Sequence, residues 1–352
     1  MYNNSTQSSL NLSYCNFAKA VLMLLIVLCH SASYYGGTWF TAAGPVVKHE
    51  ALAFLAQWLG TFHVAGFTLI SGYIYYAMKN EFGKYNHFGS FLKNKAFRLL
   101  VPYVAVSVLW VIPISDYFYN YSISDIINKF ILGAAPAQLW FLLMLFGVFV
   151  IAHIIFDKFS AKALLPIIII LYFIGSVGGG IFPYFQLLTS LKYLTFFYIG
   201  FLLRKYMKEL PPKKTKLYGL LSLVINFICF VSVYDYHGTT VLLKVCVLAL
   251  RMIIEISGAI MAFMLLGYMA SKFTTQSSFL SMMVKLSFPI YLLHQQVIYV
   301  LIWNLKDSVS PMIMTAVNFI IALFLSCCLG LLFKNFSYTS LLIGEKRRRI
   351  AE

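Results

Sequence analysis

Residues 19–30 read KAVLMLLIVLCH, a lysine and a histidine bracketing ten residues that carry no charge. A helix needs about 20 predominantly apolar residues to cross roughly 30 Å of hydrocarbon, and this stretch, extended to 14–35, supplies them. Lys19 and His30 lie eleven positions apart. At about 100° and 1.5 Å per residue that spacing returns to within roughly 20° of the same azimuth, about 16 Å further along the axis. One helix face therefore carries a cation near one membrane surface and an imidazole deeper in. Ionisable groups are costly at that depth and mark pathways, proton-handling groups or partnered sites.

Nine further apolar runs follow, near 53–78, 99–118, 138–156, 163–180, 188–204, 217–234, 242–269, 284–303 and 312–333. With 61% hydrophobic and 11% charged residues, a soluble globular domain is excluded. Strand alternation is absent, which argues against a β-barrel. The reading is an all-α polytopic membrane protein with about ten transmembrane helices. The 352 residues are expected to form a single membrane domain with no appended soluble domain. The basic segment 204–216, with Pro211-Pro212, is the only linker candidate, between six front spans and four rear ones.

A net charge of +16 suggests nucleic acid until its distribution is followed. With the N-terminus placed inside, twenty Lys and Arg fall in inner loops and the tail, Arg204 and Lys346–Arg349 among them. Outer loops hold only Lys48, Lys129 and Lys306, and Lys19, Lys192, Lys244 and Arg251 stay in or at the ends of spans. That asymmetry is the positive-inside pattern, so both termini are expected in the cytoplasm. The basic tail reads as an anionic-lipid contact, and no nucleic-acid partner is expected. The first run lacks a basic leader and a small-residue cleavage site, so it is expected to stay as a span. All six cysteines fall in or beside apolar runs, where packing is the simplest role.

Several residues carry possible chemistry. His30 suits a general base for a hydroxyl nucleophile, although a core imidazole bonded to a neighbouring helix explains it as well. Lys19 can snorkel to headgroups. His63 lies in a run with Gly66, Ser71 and Gly72 that favours close helix approach. His294 follows Pro289 by five residues, and that proline offers a kink and freed carbonyls. Three deep histidines invite a metal, but they lie on different helices with no acidic ligand nearby in sequence, and none is expected. Arg251 and Glu255, one turn apart, either pair with each other or line a polar site. The loop FLKNKAFRLLVPY at 91–103 gathers Lys93, Lys95 and Arg98 at the membrane surface, for headgroups or for the phosphates of a cytosolic donor.

Taken together, six segments resemble the acyltransferase-3 family of integral membrane acyltransferases. They are Lys19-x10-His30; Phe62-His63 through Ser71-Gly72-Tyr73; Lys95-x-x-Arg98 with Leu99 and Pro102; Leu139-Trp140-Phe141-Leu142; Phe196-Phe197-Tyr198-Ile199-Gly200; and Leu286 through Tyr291 to His294. Ala65-Gly66 stands where many members have Pro-Leu, and Lys19 replaces the commoner Arg. The resemblance implies an O-acetyltransferase-like enzyme of a bacterial cell (inner) membrane. It implies no bound cofactor, and acyl-CoA, by default acetyl-CoA, as co-substrate on the cytoplasmic side. The acceptor it implies is a hydroxyl of a cell-surface or lipid-linked glycan. It makes His30 the catalytic residue and places Lys19, Lys95, Arg98 and Trp140 on the donor path. His63, Ser71, Arg251, Glu255, Tyr291 and His294 are further site-lining candidates. Direct transfer with His30 as base is the favoured route, with a covalent intermediate on a deep histidine, Ser71 or Cys29 as the other. Some relatives carry a fused extracytoplasmic hydrolase-like domain, so final transfer here either takes place within the bundle or needs a separate extracytoplasmic partner. The rival class is a multi-span transporter or lipid flippase.

Overall fold

The computed structural model describes residues 3–37, 39–44, 48–207, 210–236, 240–272 and 278–345. The helices, in order, are α1 (Asn3–Ser33), α2 (Glu50–Gly60), α3 (His63–Tyr76), α4 (Phe88–Val106), α5 (Ile112–Tyr119), α6 (Ile123–Ile126) and α7 (Trp140–Ile155). They continue with α8 (Ala161–Ile181), α9 (Leu187–Tyr206), α10 (Pro212–Val233), α11 (Val241–Lys272), α12 (Ser278–Leu305), α13 (Pro311–Asn335) and α14 (Ser337–Leu342). Among the described residues there is no strand, and ten helical segments are long and apolar enough to cross a membrane. The protein is an integral, multi-pass membrane protein. Large apolar side chains stay uncovered along the spans, for example Val104, Leu109, Ile170, Val224, Ile228 and Phe324. Lipid, not water, is the solvent that suits such faces.

Helix starts follow local chemistry. Pro212 and Pro311 open α10 and α13 at a position whose missing N–H is no loss. Ser122 and Asp125 form a reciprocal capping box at α6. Three boundaries differ from the sequence expectation. The basic stretch 91–103 is no loop, because α4 is already helical from Phe88 and Lys93, Lys95 and Arg98 stand on it. The outer segment near 116–137, the longest connection between the apolar runs and expected as loop, is partly helical, through α6 and the π turn Ile127–Ile131. The second span is broken between α2 and α3, where Gly60 ends the first helix and the Thr61 hydroxyl donates to the Trp58 carbonyl at 2.7 Å, competing with the backbone ladder. Lys346–Arg349 lie outside the described residues.

Internal contacts divide the chain into two compact units, Met1–Ile26 with Gln57–Lys84 and Tyr193–Lys285, and Val27–Ala56 with Tyr85–Lys192 and Leu286–Glu352. Both sides of segment 204–216 thus belong to the first unit, so that segment does not separate front spans from rear ones. In the first unit α3 meets α9 at two glycines. A Cβ on Gly72 would overlap the Phe197 carbonyl, and one on Gly200 the Leu69 carbonyl. Only glycine lets the two backbones approach this closely. Asn226 ties this unit further, accepting from Trp58 Nε1 at 2.9 Å and donating to the Ile254 carbonyl at 2.8 Å. Gly72→Val should therefore destabilise by about 3 kcal/mol or more, since the clash is with backbone that cannot repack. Gly89, with nothing near its would-be Cβ, serves as control: Gly89→Ala should leave the thermal midpoint in detergent unchanged or raised. Equal midpoints for both variants would disprove the close crossing.

Candidate functional site

The second unit builds its polar centre around two histidines far apart in sequence. His30, half-buried on α1, places Nδ1 2.8 Å from Nε2 of His294 on α12. The rings lie nearly parallel, with centroids 5.0 Å apart. His294 is fully buried, and its Nδ1 stands 3.0 Å from the Ile290 carbonyl and 2.9 Å from that of Tyr291. Trp39 covers the other side of His30, with centroids 5.6 Å apart, and itself packs on Tyr299. Its neighbour Phe40 adopts a left-handed backbone (φ 55°) and stacks on Tyr299 at 4.1 Å. That conformation costs a phenylalanine about 1–2 kcal/mol, which the aromatic stack offsets.

The stretch of α12 around His294 is held at several points. Gln138, just before α7, donates Nε2–H to the Leu292 carbonyl at 2.8 Å and to Gln296 Oε1 at 2.7 Å. The Tyr291 hydroxyl donates to the Gln138 carbonyl. Trp110, on the π turn Ser107–Val111, donates to the Leu293 carbonyl at 3.1 Å. Buried amides and hydroxyls that find partners in this way rigidify their surroundings. Pro289 does not break α12, which runs unbroken from Ser278 to Leu305, and its ring lies where a side chain on Gly330 would sit.

Elsewhere in the same unit, Lys95 on α4 directs its ammonium over three rings, 3.6 Å from the Phe149 centroid, 5.1 Å from Tyr85 and 5.8 Å from Phe91. Aromatic faces attract a cation in this way. Burial raises the Tyr85 phenol above its ordinary range, and the nearby Arg98 charge lowers it in part. Arg98 itself is exposed. Trp140, the first residue of α7, lies beside Phe141, which packs edge-on against Tyr291. From Trp140 to Phe149 the helix rises about 14 Å, so one helix links the neighbourhood of the histidines to the Lys95 cage.

A family model described as an acyltransferase domain, acyltransferase-3, matches residues 12–334. The chain belongs to that family. No match is found among curated proteins or among solved structures. Four of the segments that carry the resemblance contribute to the second unit of this acyltransferase-3 protein: His30, the Lys95–Arg98 pair, Trp140 and the Tyr291–His294 stretch. The other candidates lie in the first unit and do different things there. Lys19 is half-buried one turn along from Cys15, on an α1 that runs unbroken to His30 and beyond. His63 starts α3 and donates Nδ1–H to the Leu59 carbonyl at 2.6 Å. The Ser71 hydroxyl donates back to the Phe67 carbonyl at 2.9 Å. Arg251 is exposed while Glu255 is half-buried, its carboxylate near the Tyr193 phenol.

Several important residues carried no signal in the sequence. Gln138, Trp39 and Trp110 stand in ordinary aromatic and amide contexts, and only chain pairing reveals their partners. Arg204, counted above among inner-loop cations, is 1% exposed. It grips Glu81 with Nε at 2.8 Å and Nη2 at 2.6 Å, and its Nη1 donates to the Tyr73 hydroxyl at 2.9 Å. A bidentate, hydrogen-bonded pair of this kind is the form in which a guanidinium tolerates burial. Tyr73 and Tyr14 line a cavity of about 160 Å³ in this unit, together with Phe263, Tyr268, Leu203 and Met207.

Proposed function

We propose that the protein transfers an acyl group, by default acetyl, from acyl-CoA at the cytoplasmic face to a hydroxyl of a cell-surface or lipid-linked glycan. His30 is the general base. The observation that carries this reading is the pairing of half-buried His30 with fully buried His294 at 2.8 Å. One ring is half-buried, and the other is fully enclosed. A purely packing histidine would also bond to a neighbouring helix, but it gains nothing from a second titratable ring.

The donor's charged end belongs at the Lys95–Arg98 face, near the basic side of the membrane that the positive-inside pattern assigns to the cytoplasm. A slim thioester arm then has about 14 Å of α7 to follow towards His30. There the acceptor oxygen attacks the thioester carbonyl as its proton passes to the imidazole. The C–O bond forms, the C–S bond breaks, and the thiolate recovers the proton. Direct transfer is favoured over a covalent intermediate because the rival nucleophiles are otherwise engaged. Cys29 donates to the Ala56 carbonyl at 3.3 Å and Ser71 to that of Phe67. A bacterial inner membrane and a separate extracytoplasmic partner for the acceptor complete the proposal.

Inverted membrane vesicles test it. Radiolabelled acetyl-CoA supplied to the former cytoplasmic face should label the glycan fraction above empty vesicles, while intact right-side-out vesicles should stay unlabelled until permeabilised. Equal labelling from both faces would sink the donor geometry. Label trapped on the protein and chased into glycan would replace direct transfer with the covalent route.

A further inference from the structure

We infer that His294 is a positioning residue that sets which nitrogen of His30 is basic, holding His30 as the Nδ1–H tautomer with the lone pair on Nε2. The catalytic meaning rests on the acyl-transfer reading above; the tautomer follows from hydrogen-bond chemistry alone. Carbonyl oxygens have no proton to donate. Nδ1 of His294 faces two of them, at 3.0 Å and 2.9 Å, so it must carry the hydrogen. A neutral imidazole with one protonated nitrogen accepts at the other. Nε2 of His294 therefore accepts, and Nδ1 of His30, 2.8 Å away, must donate. His30 is left with Nε2 as its acceptor nitrogen, the reverse of the tautomer that imidazole side chains prefer in water.

The surroundings enforce this polarity. His294 is fully buried and bonded through Nδ1 to its own helix, and Gln138 and Trp110 anchor the turn of α12 that carries it through the carbonyls of Leu292 and Leu293. A ring flip of His30 would exchange Nδ1 for a carbon and is opposed by the loss of its bond to His294. During transfer the acceptor's hydroxyl proton goes to Nε2 of His30, giving an imidazolium whose Nδ1–H still points at His294. The shared hydrogen lets both rings carry the charge, and the carbonyls of Ile290 and Tyr291 face its far end. When the thiolate leaves, the Nε2 proton passes to sulfur and both rings return to their starting state. Orienting groups behind a catalytic histidine act this way in hydrolase triads, where the wrong tautomer alone costs about 10⁴-fold in kcat.

The test is 15N NMR of the full-length protein, labelled at its seven histidines and held in lipid nanodiscs at neutral pH. Signals of His30 are those lost in His30→Gln. The expected wild-type spectrum shows a protonated Nδ1 and a bare Nε2 at His30; the opposite assignment overturns the proposal without any variant. His294→Leu removes the acceptor, so His30 should revert to Nε2–H and kcat should fall about 10²-fold with KM little changed. His294→Gln offers an amide oxygen to the same hydrogen and should retain both the Nδ1–H tautomer and a rate within about tenfold of wild type. An identical His30 tautomer in the Leu variant and the wild type would reduce His294 to packing. Full activity in His30→Ala would remove the general-base reading alone, and the wild-type spectrum would still decide the tautomer.

Discussion

Replacing His30 with glutamine should lower kcat for acyl transfer by about 10³-fold, within the 10²–10⁴ range of a general base, with KM for the donor within a few-fold of wild type. Glutamine nearly preserves the ring's volume and can still hydrogen-bond to His294, so the α1–α12 contact survives. What it lacks is a nitrogen that can take a proton near neutral pH. An interaction made only in the transition state shows in kcat and kcat/KM together. A rise in KM with kcat unchanged would place His30 in substrate binding instead. The comparison is made per folded molecule, with thermal midpoints matched, because Trp39 and His294 both pack on this side chain.

The largest loss of stability is expected from Glu81→Ala. It strands the Arg204 guanidinium, whose side chain is 0% exposed, while the Glu81 side chain is 20% exposed. Removing one partner of a buried pair costs about 3–5 kcal/mol, because the other charge is left desolvated and unpaired. The asymmetry in exposure predicts an order. Arg204→Met should cost less than Glu81→Ala, since the carboxylate left behind can reach water and Met refills the apolar space. The double variant Glu81→Gln with Arg204→Met should recover much of the loss. Unfolding midpoints in a detergent series would show this order. A milder Glu81→Ala than Arg204→Met would mean that Arg204 reaches water in the native protein. Activity gives a second readout, because Tyr73, on the wall of the first unit's cavity, takes its hydrogen bond from the same Arg204.

The ten spans were legible because lipid imposes one rule on every residue of a crossing helix, and only long apolar runs meet it. The alignment of Lys19 with His30 was equally legible, since helical periodicity alone sets it and α1 is continuous across both. Local patterns failed where the backbone had a choice. Apolar content did not mark the break after Gly60, and the basic stretch 91–103 read as loop although seven of its thirteen residues are Leu, Lys, Ala or Arg, which favour helix. Charge counting likewise could not separate a solvated arginine from Arg204, because burial depends on an acid brought in from another helix.

Sequence by itself determined the class of protein, the number of its spans and the helix face that carries His30, all properties of one segment in a uniform apolar solvent. Tertiary structure alone decided that His294, 264 residues away, supplies the ring behind His30. It also decided that Gln138 and Trp110 anchor the helix turn bearing that ring and that Arg204 meets Glu81. These are pairings between segments, chosen by the need of buried donors and acceptors to find partners, and one residue's identity does not specify which distant residue will meet that need.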